Sequence, residues 1–223
     1  MGSKQLTLAE EFLLMTLDDK TGMLMDSISP FKYHIAISAS LLMELSLQGR
    51  IDLDANELFV ISDLQTEDIL LNKPLEDIVR NVSNLSASKW MHRFAKDGDQ
   101  WISLVIERLI QRGILHSVEK RLLWVFKTRS YSPESGVEQM EVKQRIMLLI
   151  GNHDIPDPKD ALLVGLLNAV GIFEQMLKQT ELADAQIRID QIVNLEHINR
   201  SLLKSIEEAS DIILQHVRSY QMY

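Results

Sequence analysis

The sequence predicts a mainly α-helical protein: a compact helical bundle, one domain over residues 1–223, carrying two small β-hairpins, one of which protrudes. Three observations predict it. Apolar residues recur at helical spacing through most of the chain, between recognisable start and stop signals. Two short stretches instead alternate around polar turns. The composition, 46% hydrophobic and 25% charged with 9 Gly and 5 Pro, is that of a packed globule with few breaks.

The first helix lies in "LTLAEEFLLMTLDDKTG". Thr7 and Glu10 form a T-x-x-E capping box, in which each side chain satisfies a free backbone N–H of the other residue. Leu8, Phe12 and Met15, with Leu13 and Leu17, then recur as the apolar side of an amphipathic helix, and the charged turn from Asp18 to Gly22 ends it. Glu10 therefore reads as a cap rather than a catalytic acid. Pro30 opens a second helix over 31–48, with Gly49 as its C-terminal stop. "RIDLDANELFVIS" reads as a small hairpin turning at residues 54–57. A helix over 70–82 contains Pro74, which places its first turn near Asn72.

Two helices follow, over 86–96 and 99–112, the second closed by Gly113. A second hairpin pairs 114–118 with 122–127 around Glu119 and Lys120. Beyond Pro133 the chain is helical over 138–150 and 158–179, has a short run near Ile187, and ends in a helix over 196–217 with an apolar stripe from Ile198 to Val217.

The net charge of −9 opposes non-specific attraction to nucleic acid or anionic lipid. The charge is unevenly spread. Residues 1–88 hold 6 Lys/Arg against 14 Asp/Glu, residues 89–129 hold 9 against 4, and residues 130–223 hold 8 against 14. An acidic chain with one basic section has a polarised surface if that section gathers on one face. With no cysteine there is no disulfide framework and no thiolate chemistry. No apolar run is long enough to span a bilayer, no secretory or myristoylation signal is present, and a cytoplasmic location extending to the membrane periphery is expected.

Motifs of catalysis are missing. The six histidines make no H-E-x-x-H pair, and no phosphate-binding, dinucleotide-binding or nucleophile-elbow motif occurs. No enzyme, cofactor or metal is expected. In the loop "GNHDIPDPKD", His153, Asp154, Asp157 and Asp160 lie close enough for a weak divalent site, but they read first as a turn capping the next helix. Trp90, Trp101 and Trp124 fall in the basic section and read as core residues, with an aromatic-plus-basic binding surface as the alternative. The order helix, helix, basic hairpin over 86–129 has the layout of a winged helix. The helix over 99–112, however, opens on Asp-Gln-Trp-Ile-Ser and lacks the exposed Arg and Asn of a base-reading helix, so no nucleic-acid partner is expected.

"LTLAEEFLLMTLDDKTG" resembles the opening motif of the Golgi phosphoprotein 3 family, and the likeness continues in order through "LLMELSLQGRI", "ILLNKPL", "RGIL" with its hairpin, and "ALLVGLLNAVGIFEQML". The resemblance implies a non-catalytic peripheral membrane adaptor. In the family's eukaryotic members the domain binds phosphatidylinositol 4-phosphate and the cytosolic tails of glycosyltransferases, and the hairpin serves self-association. The eukaryotic lipid-site residues are replaced here: the tryptophan position falls at residues 27–29, and the three arginine positions fall near Ser38, Asp99 and Ile102, so the chain resembles a prokaryotic-type member. The resemblance then implies a rearranged anionic-lipid surface, with headgroup candidates Lys32 and Tyr33 in the "SPFKY" loop and Lys89, Arg93, Lys96, Arg108 and Arg112 on the adjacent helices. Lys89, Arg93 and Lys96 share one helical face. By the same resemblance, a homo-oligomer would form through hairpin residues Ile114, Leu115, Leu122, Trp124 and Phe126. The alternatives are a self-associating scaffold without lipid binding and a winged-helix-like nucleic-acid binder.

Overall fold

A computed structural model describes residues 5–19, 21–54, 57–81, 85–122, 126–133, 136–152 and 154–195. Among them, helices α1 (Leu8–Met15), α2 (Pro30–Leu47), α3 (Ile69–Arg80), α4 (Ala87–Phe94), α5 (Gly98–Gln111), α6 (Val137–Gly151), α7 (Pro158–Val170), α8 (Phe173–Met176) and α9 (Gln179–Val193) surround one hydrophobic core. Strands β1 (Ile51–Asp54) and β2 (Glu57–Val60) form one antiparallel hairpin, and β3 (Leu115–Leu122) and β4 (Phe126–Pro133) form another. The mainly helical fold with two hairpins is as the sequence predicts.

The central element is α2, which packs against α1, α3, α4, α5 and α7. It has no polar face: every residue from Ile35 to Met43 is buried. Two serines are tolerated inside because their hydroxyls turn back onto the helix, Ser38 donating to His34 O and Ser40 to Ile37 O, both at 2.7 Å. Ser29 caps the first turn ahead of Pro30, and Gly49, at φ +62, follows the Gln48 C-cap.

Helix α1 departs from expectation in character as well as length. It ends at Met15, and Leu17 leaves the helix to bridge Leu24 across the turn that holds Asp18 and Gly22. All eight of its residues are buried, Glu10 and Glu11 included, because cations from other helices cover what reads as its polar side. The capping box is present as predicted: Thr7 N–H donates to Glu10 Oε2 at 2.8 Å and Glu10 N–H to Thr7 Oγ1 at 3.4 Å.

Three predicted boundaries move. Helix α3 starts at Ile69 rather than near Asn72, because Asp68 caps it (Leu70 N–H to Oδ1, 3.0 Å) and Asn72, already inside, holds back Thr66 through N–H to Oδ1 at 2.8 Å. Pro74 thus sits in the second turn. The predicted helix over 158–179 breaks at Gly171, whose φ of +82 is left-handed, and restarts as α8 and then as the full-length α9 where only a short run near Ile187 is predicted. The second hairpin is longer than predicted, with Leu115 pairing Pro133 and Leu122 pairing Phe126, so Glu119 and Lys120 lie within β3 instead of forming the turn. The predicted helix over 196–217 lies outside the described residues.

The base of that hairpin is fastened to the loop after α1. Tyr131 N–H donates to Gly22 O at 2.6 Å, and a Cβ on Gly22 would lie 2.2 Å from Tyr131 O. Glycine is required there twice over, for its φ of +65 and for that approach. Tyr33 holds the other side of the same loop, its buried hydroxyl reaching Thr16 O at 3.4 Å and Met25 O at 3.3 Å.

Candidate functional site

The charged residues divide into an internal lattice and an outward face. Glu10, fully buried, accepts two hydrogen bonds from Arg112 Nη1, at 2.9 and 2.8 Å, and lies 3.1 Å from Arg108 Nε. Arg108 also donates to both oxygens of Asp68 at 2.7 Å and to Thr7 Oγ1 at 2.9 Å. Glu11 takes Arg145 Nη2 at 2.6 Å and Lys159 Nζ at 2.8 Å, while Arg145 Nε reaches Asp160 at 2.8 Å. The two neighbouring carboxylates thus tie α1 to α3 and α5 on one side and to α6 and α7 on the other. Two headgroup candidates, Arg108 and Arg112, belong to this lattice. A third, Tyr33, is in the core, where burial pushes its phenol up to about 12.

The remaining candidates face outward. Ser86 caps α4, its hydroxyl accepting Lys89 N–H at 3.4 Å, and the helix buries Ala87, Trp90, Met91 and Phe94. That burial fixes the opposite face, on which Lys89 and Arg93 are exposed, while Lys96 is exposed in the short 3-10 turn Ala95–Asp97 that follows. Arg93 is anchored, its guanidinium 5.1 Å from the Trp90 ring centroid and its Nη1 donating to Asn81 Oδ1 at 3.1 Å. Among the described residues, Lys89 and Lys96 have no carboxylate within ion-pair distance. The first turn of α2 packs beside α4, with Phe31 and His92 rings 6.3 Å apart, and Lys32 in that turn is half-exposed. The face is not purely cationic, for Asp97 and Asp99 are exposed just beyond Lys96.

Where the eukaryotic donors would stand, this chain has a different arrangement. Ser38 is buried and bonded to its own helix, and Ile102 is buried. Asp99 accepts His34 Nε2 at 2.9 Å across the α2–α5 contact, over Gly98, where a Cβ would sit 2.3 Å from the His34 ring. The His34–Asp99 pair is not among the predicted site residues. Its only sequence signal is the glycine at the head of α5, which permits a ring to approach.

Trp90 and Trp101 are core residues, as their register implies, and Trp124 lies outside the described residues. Ile114 and Leu115, assigned to the self-association hairpin, are buried at its base, and Leu122 pairs with Phe126 at the described end of the ladder. In the "GNHDIPDPKD" loop Asp157 caps α7 (Lys159 N–H to Oδ1, 2.8 Å), Asp160 pairs with Arg145, and His153 is outside the described residues. The exposed side of α5 carries Asp99, Gln100, Ser103, Glu107 and Gln111, with no cation among them to meet a phosphate backbone.

A mainly helical body without a membrane-crossing helix among its described residues, built on α1's carboxylate lattice, defines the class. The family model of Golgi phosphoprotein 3 (GPP34) matches residues 8–209, and the chain belongs to that family. The family is not known as one of enzymes. No curated protein matches the chain significantly.

Proposed function

We propose that the protein is a Golgi phosphoprotein 3-like adaptor that docks peripherally on anionic membrane through Lys89 and Arg93 of α4 and Lys96 of the turn that follows it, with Lys32 as a further contact. One observation carries the reading: in a chain of net charge −9, three exposed cations follow one another along α4 and the turn after it, and none of them joins the internal carboxylates. A cation near an anionic surface contributes about 1 kcal/mol, enough for reversible attachment when several act together. Arg108 and Arg112 hold the fold and leave the lipid contact to α4. With Ser38, Asp99 and Ile102 in place of arginines, the contact is charge-driven rather than specific for one phosphoinositide.

Sedimentation with vesicles tests this. Phosphatidylserine and phosphatidylinositol 4-phosphate vesicles of matched charge should bind the protein equally, and phosphatidylcholine vesicles should not. Lys89→Ala with Lys96→Ala should weaken binding roughly tenfold or more. Equal sedimentation with neutral and acidic vesicles would overturn the proposal.

A further inference from the structure

Helix α6 is apolar on both sides. Its inner face carries Val142, Ile146 and Ile150, all buried, at spacings of four. Its opposite face carries Val137, Met140, Gln144 and Leu148 at spacings of three, four and four. The three apolar residues there are 50, 59 and 64% exposed. A surface helix ordinarily turns polar residues outward, and a helix apolar all round has neighbours on both sides. Among the described residues α1 and α9 pack against α6, and they leave this outer face open.

The chain continues from beside this place. Arg188 of α9 donates to Asp154 O in the loop that leaves α6, and Leu195, the last described residue, is exposed seven positions further on. Residues 196–223 follow, outside the described structure. In sequence they carry Ile198, Leu202, Ile206, Ala209, Ile213 and Val217 at spacings of three and four, an apolar stripe that needs cover of its own. As a helix the stripe spans about 30 Å, against about 22 Å for α6, so it can run the whole outer face. The family match continues to residue 209, past α9 and through Ile206 of the stripe. In the same helical register Glu207, Glu208 and Asp211 fall on the polar side, which an anionic bilayer would repel. A second copy seated on α6 would leave the stripe itself without cover. We infer that the outer face of α6 is the docking site of this chain's own segment 196–217. No residue of the lipid contact takes part, so neither reading depends on the other.

Amide hydrogen exchange on the full chain, without lipid, tests it. Amides of 198–217 should be protected in the wild type. Met140→Asp with Leu148→Asp alters only outward side chains and should speed their exchange about tenfold or more, while the amides of α2 stay protected. Leu64→Asp, at a residue equally exposed elsewhere, should leave them unchanged. The other side of the contact is read at Met140, whose thioether hydrogen peroxide oxidises when it is open to solvent. Oxidation should be slow in the wild type and faster in Ile206→Asp with Ile213→Asp; this second reading decides if the α6 variant fails to fold. Wild-type amides that exchange freely, protection indifferent to the α6 variant, or equal oxidation of Met140 in both proteins would each overturn the inference. So would protection that is lost on dilution, which assigns the cover to a second copy, or that arises only with acidic vesicles, which assigns it to a membrane.

Discussion

Glu10 and Glu11 are neighbours in the chain, yet each is met by cations from a different side of the body. Both are almost fully buried, and an ionised carboxylate survives such burial only when paired. Glu10→Gln keeps an acceptor for the capping box but takes the Glu10 charge away from Arg112 and Arg108, the latter keeping Asp68 and Thr7. It is expected to cost about 3 kcal/mol in a denaturant titration. Glu76→Gln, which breaks the exposed pair with Arg80 one turn on, should cost less than about 0.5 kcal/mol. Glu44 gives the fold a dependence on pH. Burial raises its carboxyl above the usual 4.5, although Leu8 N–H and Lys159 pull it down. The unfolded chain ionises first, so the stability Glu44 contributes is whole below 4.5 and is lost as pH rises from there through its higher folded value. Glu44→Gln should therefore gain on the wild type as pH rises above 4.5, read as the difference between paired thermal melts. The partners of Glu10 and Glu11 are not legible along the chain: Arg112 lies 102 positions from Glu10 and Arg145 lies 134 from Glu11.

Element ends were legible where the signal is local. Thr7 with Glu10, Pro30 and Gly49 each act within one turn, and each stands where the sequence places it. Signals were misread where two local rules compete. Pro74 reads as a helix start, but the Asp68 cap and the hold of Asn72 on Thr66 open α3 a turn earlier. Glu119 and Lys120 read as a turn, but ladder pairing continues past them. Gly22 reads as a helix stop, and its larger task, receiving Tyr131, depends on a strand more than a hundred residues away. Gly22→Ala is accordingly expected to destabilise more than Gly49→Ala. The latter has nothing within 4 Å of its added Cβ and should cost only about 1 kcal/mol. Faster amide exchange at Tyr131 in the Gly22 variant, and not in the Gly49 variant, would identify the hairpin clip as the part that loosened.

At the scale of the molecule, the basic middle section is split by direction rather than gathered. Arg108 and Arg112 turn inward to carboxylates, and Lys89 and Arg93 on α4, with Lys96 in the turn after it, are exposed. Vesicle binding through the outward set should fall steeply as salt is raised from about 0.05 to about 0.5 M, because exposed charges are screened within a few ångströms there. Stability should change little over the same range, because the lattice around Glu10 and Glu11 is shielded from solvent. A salt titration that reads both quantities on one sample separates the two sets. The sequence by itself determined the helical class, most element starts and the family motifs, because periodicity and caps act over three or four residues. Only the tertiary structure decided which cations are structural and which are free to meet a partner. A charge exposed on its own helix is buried or solvated according to what another helix brings against it.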